Sequence, residues 1–268
     1  MYLSKGSLVK VIFISSVFLL LGIVFFVAAY FIGRGDISPG PTLTIGIICT
    51  AAALISLPVG IYAEGVSKPY SEGLKLLERD MAPDAFIEYY GVISDEERNA
   101  VTRPRLDFLE LLLSAYYLLE DKKGVKEVLK TMKTSLPPKK QGRVAVRFAE
   151  EAYEYGDVGT GDRLLEIAEK KDASATVKAL CEDARKSRRA KAVRDNECEE
   201  NYYNGILSAS GIFKADRVAA FVAHRRLYEL CSAACRDAEA TEHLEYCAEN
   251  GGGVPFAARA RAMLKGKK

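Results

Sequence analysis

The stretch VIFISSVFLLLGIVFFVAAYFIG, residues 11–33, contains no charged side chain and is bounded by Lys10 and Arg34. A second apolar run, LTIGIICTAAALISLPVGIYA, covers residues 43–63 and is followed by Glu64. At a rise of about 1.5 Å per residue, a helix of either length reaches roughly the 30 Å thickness of a bilayer's hydrocarbon core. A single segment in lipid satisfies its backbone hydrogen bonds only as a helix. The two runs therefore predict a transmembrane helical hairpin.

The flanking residues predict how this hairpin is oriented. A cleaved signal peptide is the alternative reading of the first run, but its apolar core would be only about 7–15 residues long and an A-x-A-like site would follow it. Lys5 and Lys10 precede the first run, and Lys68 and Lys75 follow the second. Because basic residues mark the cytoplasmic side of a membrane protein, we expect a multi-pass protein of the plasma (bacterial inner) membrane with both termini in the cytoplasm.

The charged residues that follow the two apolar runs balance one another. Three of the 38 Lys and Arg residues and one of the 36 Asp and Glu residues precede residue 64, so residues 64–268 carry equal numbers of basic and acidic residues. This neutral balance gives no electrostatic reason to expect nucleic-acid binding. In the cytoplasm, reduced thiols are the default state for the six cysteines.

The pattern of apolar residues in 64–268 is helical throughout. They recur at i, i+3, i+4 and i+7, and Pro or Gly separates one segment from the next. Residues 108–119, FLELLLSAYYLL, are apolar nearly all round and predict the most buried helix. We therefore predict an all-α protein with the hairpin at 1–63 and one cytoplasmic domain at 64–268, built from helical hairpins.

A pattern of small and large residues recurs along this domain. Its clearest form is Ala145-x2-Phe148-Ala149-x2-Ala152 followed by Gly161-x3-Leu165-x2-Ala168. The two central positions, 149 and 161, are 12 residues apart, and the same spacing joins 73 to 85 and 228 to 240. Small residues at both positions would let two paired helices approach closely.

The pattern resembles the tetratricopeptide repeat (TPR), W-x2-L-G-x2-Y followed by A-x3-F, and the chain is similar to bacterial membrane-anchored TPR-like proteins. The first-helix Trp is absent throughout. The resemblance implies a solenoid of five helix pairs and a closing helix at 255–265, wound as a right-handed superhelix with a concave peptide-binding groove. It further implies that first-helix residues line this groove, which makes the candidate partner contacts Arg143, Glu150, Tyr153, Arg225 and Glu229.

One cluster has metal-ligand chemistry. Cys231 and Cys235, and then His243 and Cys247, are each spaced i, i+4 and so share a helix face. Three thiolates and one imidazole are acceptable ligands for zinc. The alternative is that Cys231 and Cys247 are small core residues, since cysteine is among the most buried residue types. We favour the core interpretation and expect no cofactor.

A basic run lies on one predicted helix. It includes Arg185, Lys186, Arg188 and Arg189. The simple interpretation is a solvated helix face. The alternative is contact with anionic lipid headgroups, to which each nearby Lys or Arg contributes about 1 kcal/mol.

The functional prediction is a non-catalytic one. No Ser-His or Cys-His arrangement stands out, and the only two histidines are His224 and His243. We predict a scaffold or adaptor, not an enzyme, that binds an unidentified protein or peptide segment at the membrane. Two alternatives stay open: a metal- or redox-responsive sensor that uses the Cys/His cluster, and a lipid-binding accessory module.

Overall fold

The computed structural model describes residues 5–32, 40–62, 68–97, 106–210 and 215–266. Within these ranges every regular element is helical and none is a strand, which confirms the all-α prediction. The chain divides into two compact units. One comprises Met1–Glu72 with Gly91–Arg103, and the other comprises Gly73–Tyr90 with Pro104–Lys268.

The first unit contains α1 (Lys5–Ile32) and α2 (Gly40–Tyr62). Segments Val11–Ile32 and Pro41–Gly60 are long enough and apolar enough to cross a bilayer. The two helices pack as an antiparallel pair through small residues: the Ser15 and Ser56 hydroxyls lie 3.0 Å apart, and Gly22 faces Thr50. The predicted turn around Arg34 lies outside the described residues.

The remaining helices can be grouped along the chain as five consecutive pairs and a final helix. Short turns separate them, and two of them continue into a π-helical turn, at Lys75–Arg79 and at Arg185–Arg189. Their bounds are α3 Lys68–Leu74, α4 Pro83–Glu97, α5 Leu106–Leu118, α6 Lys122–Ser135, α7 Gln141–Glu154, α8 Val158–Lys171, α9 Ala175–Ala184, α10 Ala190–Val193, α11 Asn196–Ser208, α12 Arg217–Ala233, α13 Asp237–Asn250 and α14 Pro255–Gly266.

Local sequence explains where these helices begin. Several start immediately after a residue whose side-chain oxygen accepts a hydrogen bond from a backbone N–H of the first turn, which satisfies donors that have no partner inside the helix. Such N-caps stand before α6, α8, α9, α11 and α12, and they are Asp121, Asp157, Ser174, Asp195 and Asp216.

The close helix approach expected at Gly161 is found in the α7–α8 pair. Ala149 is fully buried, and a Cβ on Gly161 would lie 2.2 Å from the Tyr153 ring. Only glycine therefore fits between these two helices. In the last pair Ala240 is likewise buried, at 3 % exposure.

The register is wrong by one residue in the first pair. Ala85 is exposed, and Gly73 faces the buried ring of Phe86, which a Cβ would approach to 2.8 Å. The π-helical turn Lys75–Arg79 lies between these positions. A π turn accommodates one extra residue, which accounts for the shift from 85 to 86.

Contacts between the first and last helix pairs close the array on itself. The backbone N–H of Gly253 donates to the carbonyl of Met81 at 3.0 Å, and the guanidinium of Arg217 donates to the carbonyl of Arg79. Leu77, Met81 and Phe86 share one apolar core with residues of α5, α6, α12, α13 and α14. The first helix pair therefore packs against the last, while the superhelix implied by the TPR resemblance stays a prediction.

Candidate functional site

The closed array encloses a cavity of about 400 Å³. Its walls come from α5, the start of α6, the end of α7, the π turn with α10, and α12. These are mainly the first helices of four successive pairs. The lining residues used below are Tyr117, Glu120, Lys122, Glu151, Glu154, Tyr155, Arg188, Lys191, Val218, Phe221, Val222, Arg225, Arg226 and Glu229.

Ion pairs hold the charged side chains of one wall. Glu154 on α7 accepts hydrogen bonds from Arg188 and from Lys191, the latter at 2.8 Å. Burial alone would raise the pKa of Glu154, but these two cations lower it to about 2. The carboxylate therefore stays ionised and joins α7 to the π turn and α10.

The opposite wall has its own network of ion pairs. Arg225 on α12 lies 2.8 Å from Glu120, which follows α5 and also pairs with Arg259 of α14. The hydrogen bond from Arg259 is the main reason that the pKa of Glu120 is lowered. Arg226 pairs with Glu229 within α12. These contacts fix the position of α12 relative to α5 and α14.

Tyr117 carries a polar atom that the protein does not satisfy. Its hydroxyl is buried and has no hydrogen-bond partner among the described residues. Burial raises the pKa of this phenol, so the hydroxyl stays protonated. The guanidinium of Arg188 lies 5.2 Å from the centre of its ring. A buried polar group without a partner is costly, so the Tyr117 hydroxyl is an uncompensated polar group in the cavity wall.

The remaining wall is apolar. Val218, Phe221 and Val222 present it from α12. The cavity thus combines an apolar surface with charged positions of both signs, and it is richer in charge than most ligand pockets.

Two of the predicted partner contacts belong to this cavity and three do not. Arg225 and Glu229 line it. Arg143 and Glu150 lie in a half-buried network in which Glu110 of α5 pairs with Arg143 and Arg147, and Arg147 pairs with Glu150 at 3.0 Å. That network joins α5 to α7.

Tyr153 needs a correction, because only 2 % of it is exposed. Its hydroxyl donates to Asp162 at 2.8 Å and its ring packs on Gly161. The residue is occupied by contacts inside the α7–α8 pair, so it is a packing residue and not a groove residue.

The Cys/His cluster does not converge on one point. Cys231 and Cys247 are buried, and the thiol of Cys247 lies 3.9 Å from the carbonyl of Phe221. His243 instead faces His224, with their Nδ1 atoms 2.9 Å apart, while Cys235 is exposed. No group of three or more His, Cys, Asp or Glu in the described part of the chain is arranged to hold a metal ion.

The basic run at 185–189 is paired throughout. Its partners come from earlier helices or from its own: Arg185 pairs with Glu169, Lys186 with Glu182, Arg188 with Glu154 and Arg189 with Asp162. Arg188 also lines the cavity. The cations of this run therefore join neighbouring helices, and contact with lipid headgroups stays an untested prediction for them.

Sequence reasoning missed Tyr117, Glu154 and Arg188 as cavity residues. Tyr117 lies in an almost wholly apolar segment, where it is indistinguishable from a core residue, and Arg188 lies inside a run of cations. No family model, curated protein or solved structure matches this chain. The geometry of the cavity is therefore the starting point for a proposal of function.

Proposed function

We propose that this protein is a non-catalytic, membrane-anchored scaffold that binds a segment of a partner protein in the cavity between its first helices. The observation that carries the proposal is the cavity itself. Four successive helix pairs contribute to its walls, and the buried Tyr117 hydroxyl there lacks a partner.

The chemistry of the walls suits side-chain recognition. The apolar face of α12 can pack against an apolar side chain of the partner, and Tyr117 can donate one hydrogen bond to it. Because Glu154 and Glu120 hold their cations in place, the charged positions are preorganised. Preorganisation lowers the entropy cost of binding.

The titration behaviour of Glu154 and Tyr117 suits a fixed binding role for these two groups. A general acid or base works best with a pKa near the working pH. The pKa of Glu154 lies near 2, while burial raises that of Tyr117. Neither group is suited to exchange protons near neutrality.

The membrane part of the proposal is supported by α1 and α2. Both are long and apolar enough to cross a bilayer, and small residues pack them against each other. With both termini placed in the cytoplasm, the helical pairs would meet cytoplasmic partners at the membrane surface.

A pair of photo-crosslinking positions on one continuous helical segment tests this function. Lys191 lines the cavity, whereas Lys178 is exposed on α9 and does not. A photoreactive amino acid at position 191 of the full chain, irradiated in cells, should capture a protein that position 178 does not capture.

The Tyr117→Phe variant tests whether capture at position 191 depends on the cavity. It removes only the hydroxyl, so the fold should persist while capture at position 191 falls. Equal capture at both positions, or capture at 191 that Tyr117→Phe leaves unchanged, would contradict binding in the cavity.

A further inference from the structure

One face of α6 carries a row of positively charged side chains. Its members are Lys122, Lys126, Lys130 and Lys133, which we call the lysine face, and all four are exposed. The spacing i, i+4, i+8, i+11 places them on one side of the helix. Val125, Val128 and Met132 occupy another side and are buried, so α6 is held in place with its lysines outward.

The pairing of these lysines differs from that of the other cations. Among the described residues, no carboxylate forms an ion pair with any member of the lysine face, although Arg185, Arg188 and Arg189 all have partners. The only acidic residue in α6 itself is Glu127. Glu151 of α7 interacts electrostatically with Lys126, but none of the described carboxylates forms an ion pair with the row. The four charges therefore repel one another, and an anionic surface would relieve part of that repulsion.

Aromatic residues of α7 lie beside the lysine face. Phe148 and Glu151 of α7 line a shallow groove with Lys126, Lys130 and Lys133. Tyr155 is 53 % exposed, and the Nζ atom of Lys126 lies 5.0 Å from the centre of its ring. Tyrosine is enriched where a protein meets the membrane–water interface, because its ring is apolar and its hydroxyl is polar.

We propose that the lysine face binds the anionic headgroups of a lipid bilayer. Lys122 also lines the cavity, but Lys126, Lys130 and Lys133 lie outside it, so this inference goes beyond the proposed function. From Lys122 to Lys133 the row extends about 17 Å along the helix, which is long enough to contact several headgroups. Charge complementarity favours an anionic partner, and α1 and α2 make a bilayer the anionic surface nearest at hand.

Lysine acylation of the full-length protein in lipid nanodiscs tests the proposal. The wild-type chain is reconstituted in phosphatidylcholine alone or mixed with phosphatidylglycerol, treated briefly with a water-soluble acylating reagent, and analysed by mass spectrometry. In anionic nanodiscs, acylation of the lysine face should fall several-fold. The exposed lysines Lys170, Lys171 and Lys178 are internal controls and should react equally in both lipids.

Two variants isolate the contribution of the row. In Lys126→Gln/Lys130→Gln/Lys133→Gln, Lys122 remains as a reporter and should lose most of its lipid-dependent protection. The matched variant Lys170→Gln/Lys171→Gln/Lys178→Gln should retain it. Raising the salt from about 0.05 M to about 0.5 M should also weaken the protection, because the Debye length shortens severalfold.

Other outcomes would overturn the proposal. Equal acylation of the lysine face in neutral and anionic nanodiscs would exclude binding to lipid headgroups. Protection in neutral nanodiscs by an added RNA oligomer or polyglutamate, without protection by phosphatidylglycerol, would assign the face to a soluble polyanion instead.

Discussion

The basic turn, which we define as the basic run at 185–189 extended to Lys191, and the lysine face of α6 are similar in sequence. In the part of the chain that the structure describes, only the basic turn has its cations paired with carboxylates. Both are helical segments rich in cations. In the basic turn, Arg185, Arg188 and Arg189 pair with carboxylates 16, 34 and 27 residues earlier in the chain. Among the described residues, no carboxylate forms an ion pair with the lysine face. A run of charge in a sequence therefore does not tell whether it joins helices or faces a partner; only the tertiary neighbours decide that.

The comparison also separates two energetic roles. A cation with a half-buried partner contributes to stability, because its removal leaves a carboxylate without compensation. An exposed, unpaired lysine contributes almost nothing to stability. Substitutions in the two classes should therefore differ in the free energy of unfolding, which the four predictions below rank from the largest effect to the smallest.

The largest effect is expected where the pairing is most buried. Arg226 bonds Glu199, of which only 1 % is exposed, at 2.7 Å. Arg226→Ala would leave that carboxylate buried and unpaired, at a cost of about 3–5 kcal/mol. Pulse proteolysis of the full chain in detergent, across a urea series, should show the lower midpoint. An unchanged midpoint would remove the basis for ranking substitutions by pairing.

Arg188→Gln should have the next largest effect. The substitution removes one of two cations from Glu154 and the charge above the Tyr117 ring. We expect a loss of about 1.5–3 kcal/mol, the range for a hydrogen bond to a charged group. Arg189→Gln is the control, because Arg189 and Asp162 are 39 % and 41 % exposed and such pairs contribute about 0.2–1 kcal/mol. Equal losses in both variants would contradict the role of Arg188 in the cavity wall.

Lowering the pH should test the pairing of Glu154 with Arg188 and Lys191 without changing either cation. The folded-state pKa of Glu154 is about 2, against an ordinary value of 4.5. Its stabilising contribution is therefore complete above pH 4.5 and is lost as the pH falls toward 2. Between about pH 7 and about pH 3 this carboxylate should account for about 1–2 kcal/mol of lost stability. Urea midpoints of the wild type and Glu154→Gln should differ less at the lower pH; a constant difference would refute the assignment.

The smallest effect is expected on the lysine face. Lys126→Gln, Lys130→Gln and Lys133→Gln should each change the free energy of unfolding by less than about 0.5 kcal/mol, because the side chains are exposed and lysine and glutamine have similar helix propensities. The same urea series measures this. A loss comparable to that of Arg188→Gln would show that the lysine face has structural partners after all.

Local physics made much of the fold predictable. The apolar periodicity gave the helices, and Pro and Gly marked most of the turns between them. The close approach at Gly161 followed from the repeat spacing, because it depends on two adjacent helices. The π turn at Lys75–Arg79 carries no comparable signal, and for that reason the register of the first pair was missed.

The closure and most of the cavity were beyond sequence reasoning because they depend on distant residues. Arg217 and Arg79 are 138 residues apart, and Arg259 and Glu120 are 139 apart. The repeat spacing picked out Arg225 and Glu229, which line the cavity. It could not reveal that Tyr117, in an apolar helix, would face a cavity and not the core.

The contact of Gly253 with Met81 also sets a time requirement. A ribosome adds about 5–20 residues per second, so roughly 10–35 s pass between the synthesis of Met81 and that of Gly253. During that interval Met81 and Phe86, which are fully buried in the finished protein, have no final helix to cover them. Synthesis of this chain therefore includes a period in which chaperone protection of the first helix pair is most valuable.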